Sequence, residues 1–236
     1  MSSTGSPRGW AMMGDMPPAA PRARTGRPPR LTREEIIAAA RRIIDADGVD
    51  DLTMRRLARE VGSTAMALYR HVRDKEDLLV LLLDDYAEQI PRPPIPAEPR
   101  DRILAVGTAM HDALAACSWI AEVLTSDALM SASALWYPET IIDACIDAGL
   151  TPEQSVHAYR TIWYYTAGEI LVRAHAARRR REDPGPTRRD RIFAELDAEH
   201  LPRLTALTDR WTALTAQDTY REGLLAIVDG LLAGAR

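Results

Sequence analysis

A glycine turn between two short helical stretches constrains this chain more than any other feature. The segment runs from Thr53 to Lys75. Leu57, Ala58 and Val61 form one apolar face, Gly62 permits the turn, and Leu68 points back to the same core. Thr53 and Thr64 stand where helix N-caps are needed, because a threonine hydroxyl accepts from an otherwise unpaired first-turn N–H. This is the layout of a helix-turn-helix, which places its second helix in the DNA major groove. Arg55, Arg56, Arg59, Arg70, Arg73 and Lys75 against Glu60 and Asp74 leave the segment at +4, although the whole chain is at −4. An acidic body with a basic head suits specific DNA binding, since only the contact face must be positive. Lys75 is the only lysine in the chain.

The physics of groove entry gives the second helix its roles. Ala65, Met66 and Ala67 make a slim, partly apolar tip that can approach thymine methyls. Arg70 and His71, at the end of that helix, are expected to meet phosphates or base edges; His71 is equally compatible with capping or packing.

The rest of the chain reads as all-α. Apolar residues make up 46% of 236, enough for a sizeable core, and Ala and Leu dominate over the β-branched and aromatic residues that strands favour. No apolar run approaches the ~20 residues of a membrane span, and the N-terminus has no apolar signal-peptide core. Cys117 and Cys145 are expected to be buried thiols of a reducing, cytoplasmic compartment.

Residues 1–30 are rich in Pro, Gly, Ser and Arg and are expected to be a disordered basic arm. Arg22, Arg24, Arg27 and Arg30 make it either a solubilising tail or a DNA-contacting arm. Residues 31–77 form the expected DNA-binding domain. Its first helix is capped by Thr32 with Glu35 and closed by a left-handed Gly48. A fourth helix, capped by Asp74, buries Leu78, Leu79, Leu82, Leu83 and Tyr86. The stiff Pro91–Pro99 stretch then leads into the rest of the body, residues 78–236. Further helices are expected over about 100–116, around Ile120–Leu124, from near Pro138 to Ala148, and from Thr151-Pro152-Glu153-Gln154 to about Arg178. An arginine-rich surface loop to about Asp190 should follow, then one helix to Leu214 kinked at Pro202, and a last helix starting at Thr215 with Asp218.

The residues Gly48-Val49, Leu52-Thr53-Met54-Arg55, Leu57-Ala58, Val61-Gly62, Leu68-Tyr69-Arg70-His71-Val72, Lys75 and Leu78 resemble the tetracycline-repressor (TetR) family of bacterial regulators, in spacing as well as type. Ser63 departs from the pattern, standing where a small apolar residue is usual. The resemblance implies that Arg55 reaches a base or phosphate and that Tyr69 and Lys75 hold phosphates, although Tyr69 is also compatible with a core position. It implies a homodimer through the helices after Thr151 and Thr215, with Gly168, Gly223 and Gly230 permitting close approach, and hence a palindromic double-stranded DNA operator. It further implies a small, partly aromatic effector released from no membrane and needing no cofactor. Trp119, Trp136, Tyr137, Trp163 and Tyr164 are its candidate walls, with Met110, His111, Met130, Leu135 and Glu169 supplying adaptable or polar contacts; each aromatic is equally compatible with the core. A metal-assisted ligand through His111 stays open, though no metal site is expected. The alternatives are a DNA-binding protein without effector, or an all-helical enzyme using His111, His157, His175 or His200; no P-loop, HExxH or nucleophile elbow accompanies those histidines.

Overall fold

The computed structural model describes residues 31–126 and 129–234. The arginines of the expected basic arm lie outside the described residues. Twelve α-helices and no strand occur among those described.

The head is built from α1 (Arg33–Asp47), α2 (Met54–Glu60), α3 (Ala65–Leu68) and the start of α4 (Lys75–Gln89). Reciprocal capping starts α1: Thr32 Oγ1 accepts from Glu35 N, and Glu35 accepts from Thr32 N at 2.9 Å. Gly48 ends the helix with φ +93° and ψ 168°. The positive φ is as expected, but the conformation is the mirror-extended one rather than the left-handed helical one, and only glycine rests there without strain. Leu52, Leu57, Leu68, Val72 and Leu78 close the small core between these helices and are almost wholly buried. Each such side chain contributes about 1.5–3 kcal/mol of burial free energy.

The body contains α5 (Pro99–Ala116), α6 (Ser118–Ser126), α7 (Trp136–Asp147), α8 (Pro152–Glu182), α9 (Arg188–Ala194), α10 (Pro202–Thr205), α11 (Thr208–Thr215) and α12 (Tyr220–Leu232). Helix α5 packs against α7, α8 and α12, and turns through 102° into α6. Among the described residues, no single helix is long and apolar enough to cross a membrane. Both cysteines are free thiols; burial pushes the Cys145 thiol up to about 11, so it stays protonated at neutral pH.

Tyr220 is the pin of the body. Its ring stacks on His111 at 3.7 Å and on Tyr165 at 5.2 Å between centroids. Its hydroxyl lies 2.8 Å from Thr166 Oγ1 and 3.2 Å from the Gly107 carbonyl, so one buried side chain joins α5, α8 and α12. Gly107 lets α12 come close: a Cβ there would stand 3.1 Å from Leu224.

Three expectations for the C-terminal half are corrected. The arginine-rich stretch is not a loop up to Asp190. Helix α8 continues through Arg178–Arg181 to Glu182, because arginine propagates helix well and suits the negative end of the helix dipole. The single helix expected to Leu214 is three short ones, since Pro202 takes the first position of α10 and the preceding Leu201 is forced out of helical geometry. Thr215 closes α11 rather than opening the last helix; α12 starts at Tyr220, whose backbone N–H donates to Asp218 Oδ1 at 3.2 Å.

Candidate functional site

Two sites emerge, one on the head and one inside the body. On the head, Thr53 Oγ1 accepts from Arg56 N and Thr64 Oγ1 accepts from Ala67 N, both at 3.2 Å, so each cap also fixes the start of its helix. Gly62 adopts φ +61°, the left-handed turn that joins α2 to α3. Ser63, the departure from the usual pattern, is half-buried and donates its backbone N–H to Ala58 O at 2.9 Å, so the turn closes without an apolar side chain.

This turn lifts the tip of α3 out of the surface. Met66 is 74% exposed and Tyr69 49% exposed, while Leu68 between them is fully buried. Ala65 and Ala67 flank Met66 with small, half-buried side chains. Arg55, Arg70 and His71 are exposed around the tip. The basic residues divide into two groups. Arg56 is neutralised by Asp47, and Arg73 pairs with Asp77 at 3.1 Å. Arg55, Arg59 and Arg70 have no ion-pair partner among the described residues, which leaves their charge for something outside the chain. Lys75 is half-buried and donates to the Val49 carbonyl at 3.1 Å, so one of its three N–H groups ties the start of α4 to the α1–α2 loop.

Inside the body, a cavity of about 360 Å³ lies between α4, α5, α6, α7 and α8. Of the residues expected to face a ligand, Met110, Met130, Leu135, Tyr137 and Trp163 line it. The others do not. His111, Trp119 and Glu169 border a separate, open cleft of about 920 Å³ that runs from α8 to the end of α1. There His111 Nε2 lies 3.1 Å from Glu169, which also pairs with Arg173. Trp136 stacks on Tyr137 and carries the Arg92 guanidinium over its ring at 5.3 Å. Tyr164 faces outward at 60% exposure. The reason is rotational: neighbours in a helix are about 100° apart, so Met110 and His111, Trp136 and Tyr137, or Trp163 and Tyr164 cannot face one cavity together. Sequence reasoning missed Tyr159, one turn before Trp163 on the same face of α8, and the whole α4 wall of Leu83, Tyr86, Ala87 and Ile90. The i, i+4 spacing of Tyr159 was an available signal; the α4 wall had none beyond its apolar stripe.

Helix α4 therefore belongs to both sites. Near its start it packs on α1, where Arg41 pairs with Asp85 at 2.7 Å. Further along it walls the cavity, and Asp84 accepts from Ser131 Oγ at 2.6 Å, holding the segment before α7 against it.

Residues 36–82 match the model for bacterial regulatory proteins of the tetR family, and residues 94–234 match the tetracyclin repressor-like C-terminal domain. The chain belongs to the TetR family. It is a transcriptional regulator with a helix-turn-helix DNA-binding head and a body of the tetracycline-repressor type. An HTH-type transcriptional regulator of Saccharopolyspora erythraea is 32% identical over 144 residues, 60% of this chain and 61% of the relative, so the match spans about three fifths of that protein's length. The class A tetracycline repressor from transposon 1721 of Escherichia coli is 27% identical over 86% of this chain and 91% of its own. Among solved structures, the Streptomyces coelicolor TetR family protein ActR in complex with actinorhodin superposes with a TM-score of 0.70 at 25% identity, covering 87% of this chain and 97% of that one.

Proposed function

We propose that this TetR-family regulator binds a palindromic operator as a homodimer, represses from it, and is released by a small, partly aromatic effector held in the cavity behind α4. The observation that carries this reading is that one helix, α4, is both a wall of the apolar cavity and a support of the DNA-binding head. A ligand that favours a different position of α4 changes the position of α3 with it. Two heads then lose the spacing of about one DNA turn (~34–36 Å) that adjacent major grooves require. Solved ActR in complex with actinorhodin supports a small-molecule effector here.

On the operator, Met66 with Ala65 and Ala67 enters the groove, Arg55, Arg70 and His71 reach bases or phosphates, and Tyr69 and the free N–H groups of Lys75 hold the backbone. Thr53 and Thr64 set the helix starts that orient them. The residues of 31–77 form this DNA-binding unit, and the remainder senses and dimerises.

The dimer reading rests on α8. Tyr164, Gly168 and Val172 recur every fourth residue on one face; Tyr164 and Val172 are 60% and 69% exposed, and nothing lies within 4 Å of a Cβ added at Gly168. Gly230 of α12 is equally open. Gly223 is not part of this face: a Cβ there would clash with the Tyr165 hydroxyl of the same chain, so its small size serves internal packing. Val172→Asp places a charge in the proposed interface and is expected to shift the protein to monomer in sedimentation equilibrium while leaving its helicity unchanged. Retention of the wild-type mass would remove this face of α8 from the interface.

The effector reading is tested by fluorescence anisotropy on an operator duplex recovered by in vitro selection. A cognate effector is expected to weaken DNA binding by about 5–150-fold, the range of a coupling of ~1–3 kcal/mol. Unchanged affinity across a broad panel of aromatic compounds would leave a DNA-binding protein without an effector.

A further inference from the structure

Among the described residues that line the cavity, none carries a formal charge. Its polar side chains are the hydroxyls of Tyr86, Ser131, Tyr137 and Tyr159 and the indole of Trp163. Two of these hydroxyls are already engaged: Tyr86 donates to the Ala113 carbonyl at 2.8 Å, and Ser131 donates to Asp84. Tyr137 is different. It is 5% exposed, and its buried hydroxyl has no hydrogen-bond partner among the described residues. A buried donor without an acceptor is costly, and an arriving acceptor removes that cost. Burial also pushes the Tyr137 phenol up to about 12, so it remains a proton donor at neutral pH.

The same lining penalises charge. A carboxylate or ammonium entering this space gives up its hydration and meets no counter-charge, only neutral hydroxyls and hydrocarbon. The charged groups that sequence reasoning placed beside the ligand, His111 and Glu169, face the other cleft.

We propose that the cavity selects uncharged, largely apolar ring compounds bearing a carbonyl or similar oxygen, which accepts the hydrogen bond of the Tyr137 hydroxyl. This rests on the effector reading above and names the ligand class of that site. Trp163 in the wall supplies a flat apolar surface against which a ring stacks.

The test uses the full chain, wild type and Tyr137→Phe, with three probes: 9,10-anthraquinone, anthraquinone-2-carboxylate and anthracene. Binding is followed by calorimetry or tryptophan quenching. The expected results are that anthraquinone binds wild type about fivefold more tightly than Tyr137→Phe, as one neutral hydrogen bond implies. Anthracene is expected to bind both proteins alike, and the carboxylate to bind wild type at least about 100-fold more weakly than anthraquinone. The neutral-against-carboxylate comparison needs only wild-type protein, so it stands even where the variant folds poorly. Equal binding of the carboxylate and anthraquinone, no effect of Tyr137→Phe in a folded variant, or no binding of any probe would each overturn the proposal. Probes that bind with the expected selectivity but leave operator affinity unchanged would instead count against the effector reading and leave the ligand class standing.

Discussion

Met66→Glu is expected to abolish operator binding while leaving the fold intact. The side chain is 74% exposed at the tip of α3 and contributes little to the head core, which is formed by Leu57, Leu68 and Val72. A carboxylate at this tip is carried into a groove lined by phosphates, and like-charge juxtaposition across an interface costs several kcal/mol. The expected loss of affinity is about 100-fold or more. Anisotropy titration against an operator duplex measures it, with thermal melting as the control. Met66→Leu keeps the slim apolar tip and is expected to retain most of the affinity. Wild-type DNA binding by a folded Met66→Glu protein would move the contact surface away from α3.

Tyr220→Ala is expected to destabilise the body by about 3–5 kcal/mol, the range for truncating a large buried aromatic. The ring is 1% exposed and stacks on both His111 and Tyr165, so its removal opens a cavity where α5, α8 and α12 meet. It also strips a partner from Thr166, although Thr166 Oγ1 keeps its bond to the Ile162 carbonyl at 2.8 Å. Tyr220→Phe retains the ring and loses only the hydroxyl, so about 1–3 kcal/mol is expected. Urea denaturation of the three proteins gives the order directly. An alanine variant as stable as wild type would mean that the helices are held by something other than this pin.

The head was the most legible part of the chain because its determinants are local. Thr32 with Glu35, Thr53, Gly62 and Thr64 specify caps and a turn within three or four residues, and the structure uses each of them that way. The capping box of Thr151 with Gln154 announced α8 on the same grounds. The cavity was legible only by region. Composition marked out an aromatic middle, but in each neighbouring pair rotation about the helix decides which member faces inward, and that depends on packing partners distant in sequence. Tyr137 and Trp163 face the cavity; Trp136 and Tyr164 do not. The α4 wall was hidden for a different reason. Leu83 and Tyr86 read as ordinary core positions of an amphipathic helix, and nothing local distinguishes a residue packed on another side chain from one packed on a cavity. The segment after α8 misled because weak amphipathic periodicity suggested one helix, whereas Pro202 and the lack of buried residues there leave three short ones.

Selection of bound duplexes from a random pool, run in parallel with wild-type protein and Met66→Glu, tests the central claim most directly. Two recognition helices on a two-fold axis predict that wild type enriches a palindrome whose half-site centres lie about 10 base pairs apart, and that Met66→Glu enriches nothing above background. Enrichment of a single unpaired half-site, of no sequence, or of the same sequences by both proteins would contradict it.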